Sequence, residues 1–309
     1  MSFGGKVVAI TGANGGIGQA LCRYFGKAGA SIAALDRQEA VTSFAKTLAG
    51  EGIKAEAAVL DIADADAVAP AFKALAASLG PADILVNNAG FSGVPTLKVT
   101  SPADWARLVA GNLDGAYYCA HAVLPAMQER RAGVIINIGS VNGLSALGDP
   151  AYSAGKAGMI SLTQGLALEY GRYGIRANIV CPGTVRTPVW DERMKRNPEV
   201  LSRLRRWYPL GRVVDPIDIA NAVGFLASDA AAAITGIVLP VDCGLTAEQH
   251  RHGPRADAGG VLVVLVARQL RGREPHHEAV GVTQAAMCSP LMVRCSSRSD
   301  EPRTRHRKQ

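Results

Sequence analysis

The stretch Thr11-Gly12-Ala13-Asn14-Gly15-Gly16-Ile17-Gly18 decides the architecture because of what flanks it. Before it runs Lys6-Val7-Val8-Ala9-Ile10, an apolar segment of strand length, and after it a helical pattern continues to about Ala28. A strand, a glycine turn and a helix bring backbone N–H groups and the positive end of a helix dipole to one point. Such a turn can accept a pyrophosphate, although a tight turn with no ligand uses the same glycines, and the spacing is G-x-x-x-G-x-G rather than G-x-G-x-x-G. Asp36 shifts the balance. It ends the next apolar run, 18 residues after Gly18, where a carboxylate can accept hydrogen bonds from an adenosine ribose.

Working outward, further strands are expected at Ser31 to Leu35, Glu56 to Leu60, Asp83 to Val86, Val134 to Ile138, Ile175 to Cys181 and Ile237 to Val241. None alternates apolar with polar residues, the pattern of strands buried on both faces. Amphipathic stretches lie between them. Ser101-Pro102-Ala103-Asp104 and Asp215-Pro216-Ile217-Asp218 each supply an N-cap, a proline at the first helical position and a carboxylate two residues on. Seven strands with intervening helices predict a doubly wound parallel sheet with helices on both faces, as one domain over residues 1–247.

Composition narrows the classes. Of 309 residues, 48% are hydrophobic and 19% charged, enough for a sizeable core. The longest apolar run, Val261 to Ala267, is far short of the roughly 18 residues a membrane span needs. The first residues show no signal-peptide layout, and the six cysteines (22, 119, 181, 243, 288 and 295) form no CxxC pair, so a cytoplasmic protein is expected. The net charge of +7 divides unevenly: residues 1–247 carry 22 basic against 20 acidic residues, residues 248–309 carry 11 against 6. The basicity therefore belongs to the tail and does not mark a nucleic-acid surface. That tail, 248–309, has clustered prolines and serines and no sustained amphipathic period, and is expected to be disordered; a basic arm for an acidic partner is the alternative.

Tyr152 and Lys156 stand four residues apart within Pro150-Ala151-Tyr152-Ser153-Ala154-Gly155-Lys156, on one face of a helix. A tyrosine titrates near 10, so acting as a base near neutrality calls for a neighbouring cation, which a lysine one turn away supplies. Alone, the pair could equally be a surface contact. Ser140 follows the strand Val134 to Ile138, at the edge where ligands bind in open α/β sheets, but a lone serine there is usually a turn residue.

Taken together, Thr11-Gly12, Gly16-Ile17-Gly18, Asn87-Asn88-Ala89-Gly90, Asn112, Ser140, Tyr152, Lys156 and Pro182-Gly183 resemble, in order and spacing, the short-chain dehydrogenase/reductase family over about residues 4 to 247. The resemblance implies a Rossmann-type domain, usually a homotetramer or homodimer, that transfers hydride between NAD(P) and a carbonyl or alcohol carbon. It implies that Tyr152 is the general acid/base, that Lys156 binds nicotinamide-ribose hydroxyls and lowers the tyrosine pKa, and that Ser140 holds the substrate oxygen. Asn112 matches an asparagine that holds a relay water; otherwise it is a buried polar group bonded to backbone. Gly12, Gly16 and Gly18 are implied to line the pyrophosphate, with the Ile17 N–H nearby. Asp61 and Ile62 fall beside the adenine, and Asn88, Ala89 and Gly90 beside the adenosine ribose. Pro182, Gly183, Val185 and Thr187 fall along the nicotinamide. Two departures stand out: Ser140 precedes Tyr152 by 12 residues where 13 is common, and Asp242-Cys243-Gly244 replaces the Asp-Gly-Gly of many relatives.

Asp36 would repel the 2′-phosphate of NADP, and the loop Ala13-Asn14-Gly15 offers no cation, so NAD is expected, with Arg37 as the one feature pointing the other way. The substrate is expected to be a small alcohol or ketone. Arg186 to Arg212 holds eight basic residues against three acidic ones, besides Trp190, Trp207 and Tyr208, which suggests an anionic or polyhydroxylated substrate or else a solvated helical face. Two alternatives to an NAD-dependent alcohol dehydrogenase are an NADPH-using 3-oxoacyl-thioester reductase and a non-catalytic dinucleotide-binding regulator. No metal site is expected, since residues 1–247 hold one histidine, His121, and scattered cysteines.

Overall fold

The apolar runs become seven strands in the computed structural model: β1 Val7–Thr11, β2 Ser31–Asp36, β3 Ala55–Val59, β4 Ile84–Asn87, β5 Gly133–Ile138, β6 Ile175–Pro182 and β7 Val238–Val241. The structure describes residues 1–250 apart from 146, 189, 191–193, 196 and 198. Almost all of the expected tail, 251–309, lies outside the described residues. Every strand falls within one residue of its expected bounds. The sheet is all parallel, in the order β3-β2-β1-β4-β5-β6-β7.

Both faces of the central strands are apolar because each carries a layer of helices. On one side Val8, Ile10, Ile32, Ile136 and Val180 pack with α1 (Gly16–Lys27), α2 (Ala40–Gly50) and α8 (Pro216–Ala227). On the other Ala9, Ala33, Leu85 and Ile135 pack with α3 (Ala65–Leu79), α5 (Gly115–Glu129) and α6 (Pro150–Tyr170). Neighbouring residues such as Ile135 and Ile136 thus enter opposite cores, which is why no polar alternation is visible in the sequence. The edge strands differ. In β3 Glu56 and Val59 are exposed, and β7 is only partly buried, with Pro240 outward where a missing N–H costs no ladder bond.

The expected helix starts are present. Ser101 Oγ caps α4 (Pro102–Val109) by accepting from Asp104 N at 3.0 Å, and Asp215 N donates to the Asp218 carboxylate at 2.9 Å at the start of α8. Between Val185 and α8, a short helix α7 (Val200–Arg205) seats Val200, Leu201 and Leu204 in a small apolar cluster with Tyr208 and Val213. Among the described residues no helix is long and apolar enough to cross a membrane.

Strand order reverses between β1 and β4, since the chain runs outward from β1 to β3 on one side and from β4 onward on the other. The loops leaving the carboxyl ends of these two strands cannot close over each other, and a crevice opens there. Gly12 and Asn88 stand at its base.

Candidate active site

The crevice is a cleft of about 600 Å³ lined by the glycine loop (Gly12, Asn14, Gly15, Gly16, Ile17), by Asp36 to Gln38, by Leu60 to Ile62, by Asn88 to Phe91, and by Gly111, Thr187 and Pro188. Gly12 adopts φ +63°, a conformation disfavoured for residues with a side chain, and a Cβ there would stand 2.8 Å from Ala89 Cα. A Cβ on Gly16 would press on Thr187 and Pro188 at 2.9 to 3.0 Å, closing the cleft at the N-terminus of α1. The bare backbone therefore keeps open a channel of dinucleotide size beside a helix N-terminus, so the residues present fit a nicotinamide dinucleotide. Gly18 is not among the residues lining this cleft; a Cβ there would lie 2.8 Å from Ala13 Cα, so its bare backbone lets the helix pack closely against the loop.

Asp36 occupies the rim as expected. Its two carboxylate oxygens accept the backbone N–H groups of Asn14 and Gln38, each at 3.0 Å, while Asn14 Nδ2 donates to Gln38 Oε1 at 2.9 Å. The same carboxylate that can meet a ribose thus shapes the glycine loop. Asn88 is tied to the strand beneath: its Nδ2 donates to Thr11 O at 3.0 Å and to Gly12 O at 3.1 Å, and Thr11 Oγ1 receives the N–H groups of Asn88 and Ala89. Asn14, Gln38, Leu60, Phe91 and Gly111 also border the cleft, though the sequence reading did not select them. Most of these adjoin selected positions, so immediate adjacency is the signal that could have found them.

A second cavity, of about 200 Å³, opens beside the first and shares Ile17, Asn88 and Gly90 with it. Its other walls are Ile138, Gly139, Ser140, Tyr152, Lys156, Pro182, Gly183 and Val185. Ser140, Tyr152 and Lys156 are brought together here from β5 and α6. Lys156 is buried, its Nζ donating to Ile138 O at 2.8 Å and standing 5.7 Å from the centre of the Tyr152 ring. The Ser140 hydroxyl and the Tyr152 phenol border the same cavity, where the serine favours the ionised form of the tyrosine. Asn112 lines neither cavity. Its Nδ2 donates to Phe91 O at 2.8 Å and to Leu108 O at 2.9 Å, and its Oδ1 accepts Phe91 N at 3.2 Å. Leu108 O is the carbonyl that Asn112's own N–H would take in a regular α-helix, and the chain widens into a π turn at Ala110–Asp114. The side chain is bonded to backbone on every side, as the alternative reading of Asn112 had it.

The electrostatics depart from the expected picture. Burial pushes the Tyr152 phenol above its ordinary value; the hydrogen bond from Ser140 opposes this, and the charge of Asp149 reinforces it. Burial also draws the Lys156 ammonium down to about 8. In the protein alone burial is the dominant influence on the tyrosine, and the lysine ammonium is directed at a carbonyl.

None of the described basic residues of 186–212 lines the small cavity. Arg203 pairs with Glu199 at 2.6 Å, Arg212 bonds to Asp218 and lies 3.7 Å from Asp215, and Arg206 stacks on Trp207 at 5.0 Å. Arg186 and Arg205 are exposed. Arg193 and Arg196 lie outside the described residues.

Comparison with known proteins agrees with this geometry. A family model described as enoyl-(acyl carrier protein) reductase matches residues 12–246. An uncharacterized oxidoreductase of Schizosaccharomyces pombe, C922.06, is 43% identical over 248 residues, 80% of this chain and 93% of the relative. The crystal structure of a short-chain dehydrogenase/reductase family oxidoreductase from Burkholderia thailandensis is 48% identical with a TM-score of 0.74, covering 83% of this chain and 96% of that one. A gluconate 5-dehydrogenase from Burkholderia cenocepacia in complex with NADP and tartrate is 36% identical with a TM-score of 0.75, covering 80% and 97%. Other solved relatives carry NAD. With its seven-stranded parallel sheet, its glycine-lined crevice and these relatives, the chain belongs to the short-chain dehydrogenase/reductase family of oxidoreductases, whose members bind nicotinamide dinucleotides.

Proposed function

We propose that the chain is an NAD-dependent dehydrogenase that interconverts a secondary alcohol and its ketone, with Tyr152 as general acid/base. The observation that carries this reading is the junction of the two cavities: the space bordered by Ser140, Tyr152 and Lys156 opens into the dinucleotide-sized cleft across Ile17, Asn88 and Gly90. The nicotinamide ring, when bound, supplies the hydride acceptor or donor. In the oxidising direction the Tyr152 phenolate takes the hydroxyl proton as hydride leaves the carbinol carbon. In the reducing direction the phenol gives its proton to the carbonyl oxygen. Ser140 Oγ holds the substrate oxygen against the same phenol. Lys156 donates one N–H to Ile138 O and keeps two for ribose hydroxyls at the junction. Asn112 would hold a relay water through its backbone, since its side chain is engaged.

Asp36 favours NAD, because a 2′-phosphate would lie against its negative charge. Lys156 is the one charged residue among the described residues of the small cavity, and the described arginines of 186–212 are paired or exposed, which supports a neutral substrate over an anionic one. The second reading, an NADPH-using 3-oxoacyl-thioester reductase, has Arg37 in its favour, since that residue also borders the cleft. Exposed Ile217 and Phe225 on α8 and Ile237 before β7 support a homotetramer or homodimer.

The test is coenzyme turnover, with NAD(H) and NADP(H), across a panel of neutral and anionic secondary alcohols, their ketones and 3-oxoacyl thioesters. Turnover of neutral alcohols with NAD is expected. A preference for NADP with acyl thioesters would favour the second reading, and no turnover of any alcohol or ketone would overturn the first.

A further inference from the structure

Asp149, immediately before the catalytic helix, sits at φ +46° and ψ 73°, in the left-handed region that few residues with side chains adopt. Aspartate is among those that tolerate it, and here the conformation aims both carboxylate oxygens at backbone donors. Oδ1 accepts Tyr152 N at 3.4 Å and Oδ2 accepts Gly93 N at 2.9 Å. The backbone of Asp149 joins in, its N–H donating to Pro95 O at 3.3 Å and its carbonyl accepting Ser153 N at 2.8 Å. Gly93 and Pro95 belong to the loop that starts at Phe91, whose own N–H and carbonyl are bonded to Asn112. The loop is thus fastened at one end beneath the coenzyme cleft and at the other to the start of α6.

Resting on the reading of Tyr152 as the acid/base, we propose that Asp149 is a positioning residue for the reaction: it pins loop 91–95 to the first turn of the catalytic helix and fixes a negative charge at the Tyr152 end of that turn. The groups that bear on Tyr152 are the Ser140 hydroxyl after β5, Lys156 one turn along α6, the Cys181 thiol on β6, and Asp149. Burial holds the Cys181 thiol up at about 11, so it is neutral near pH 7, and Asp149 is the carboxylate of the set. Burial is the first cause that holds Tyr152 in the phenol form, the form that protonates a carbonyl, and the Asp149 charge adds to it.

The test compares the pH dependence of kcat/KM for alcohol oxidation in wild type, Asp149→Asn and Asp149→Gly, with Tyr152→Phe alongside. Asparagine tolerates the left-handed conformation and keeps an acceptor but carries no charge, so the apparent pKa of the base should fall by about 1–2 units, as expected for one charge roughly 6–12 Å away at an effective dielectric of about 20. Glycine keeps the conformation without the carboxylate, so the same fall should be joined by a higher KM for the alcohol and faster hydrogen exchange at Gly93. If Tyr152→Phe is inactive and the profiles of both Asp149 variants match wild type, Asp149 has no such role. If Tyr152→Phe remains active, the reading beneath the proposal is what fails.

Discussion

Replacing Asp36 by asparagine isolates the charge on which coenzyme choice rests. The carboxylate receives two backbone N–H groups at 3.0 Å, from Asn14 and Gln38, and asparagine preserves the shape and one of the two acceptors. The glycine loop should therefore hold, since the Asn14 amide is only partly buried and water can reach Gln38 N. Two effects on the coenzymes follow. Hydrogen bonds from ribose hydroxyls to an anionic acceptor are worth about 1.5–3 kcal/mol, and losing that charge assistance should weaken NAD by roughly tenfold or more. A 2′-phosphate about 5 Å from the carboxylate meets a repulsion of about 3 kcal/mol per unit charge at an effective dielectric of about 20, and its removal should strengthen NADP by a comparable or larger factor. Together the ratio of NAD to NADP affinity should fall by about two to three orders of magnitude, most steeply at low salt. Titration calorimetry with each coenzyme against both proteins measures it. A ratio changed by less than about threefold, some 0.6 kcal/mol, would show that Arg37 or another group sets the preference.

Two further outcomes concern stability. Cys243 carries φ +52°, a conformation that glycine adopts freely, so Cys243→Gly should raise stability by about 0.5–1 kcal/mol, read as a higher urea midpoint; a lower midpoint would mean that the packing of the thiol outweighs the backbone strain. Lys156 is buried with its pKa lowered from 10.5 to about 8, so below pH 8 the folded protein carries a proton it holds poorly, at a cost of up to about 3 kcal/mol. Between about pH 8 and 10.5 the unfolded chain binds the extra proton, and wild-type stability should rise with pH relative to Lys156→Met. The methionine variant, though inactive, should match or exceed wild type at pH 7, despite leaving Ile138 O without its donor, and should lose ground by pH 10; a gap independent of pH would contradict the burial argument.

The architecture was legible because it follows from local composition. Strands such as β1 and β5, buried on both faces, read as continuous apolar runs, and the caps Ser101 and Asp215 mark helix starts by side-chain chemistry alone. The exposure of Glu56 and Val59 was not legible, since only the order of strands makes β3 an edge. The site motifs gave the glycine loop, Asp36 and the Ser140, Tyr152 and Lys156 set, whose spacing is conspicuous in one dimension. Packing and ligand glycines share a spacing, so the sequence alone does not separate Gly18, packed against Ala13, from the cleft-lining Gly12 and Gly16. The left-handed backbones of Asp149 and Cys243, the π turn at Asn112 and the upward shift of Tyr152 arise from contacts across the fold. Arg203 and Arg212 stand out within a basic run, but only the fold shows that Glu199, Asp215 and Asp218 pair with them at the surface.

The central claim is that Tyr152 moves the proton while hydride moves to or from the coenzyme, and Tyr152→Phe tests it most directly. Phenylalanine keeps the ring in its place on α6 and removes only the hydroxyl. Single-turnover reduction of NAD by a neutral secondary alcohol should slow by about 10²–10⁴-fold, the usual worth of a positioned acid/base, while the Kd for NAD stays within about threefold. A variant that binds NAD normally and keeps more than about a tenth of wild-type turnover would contradict the account.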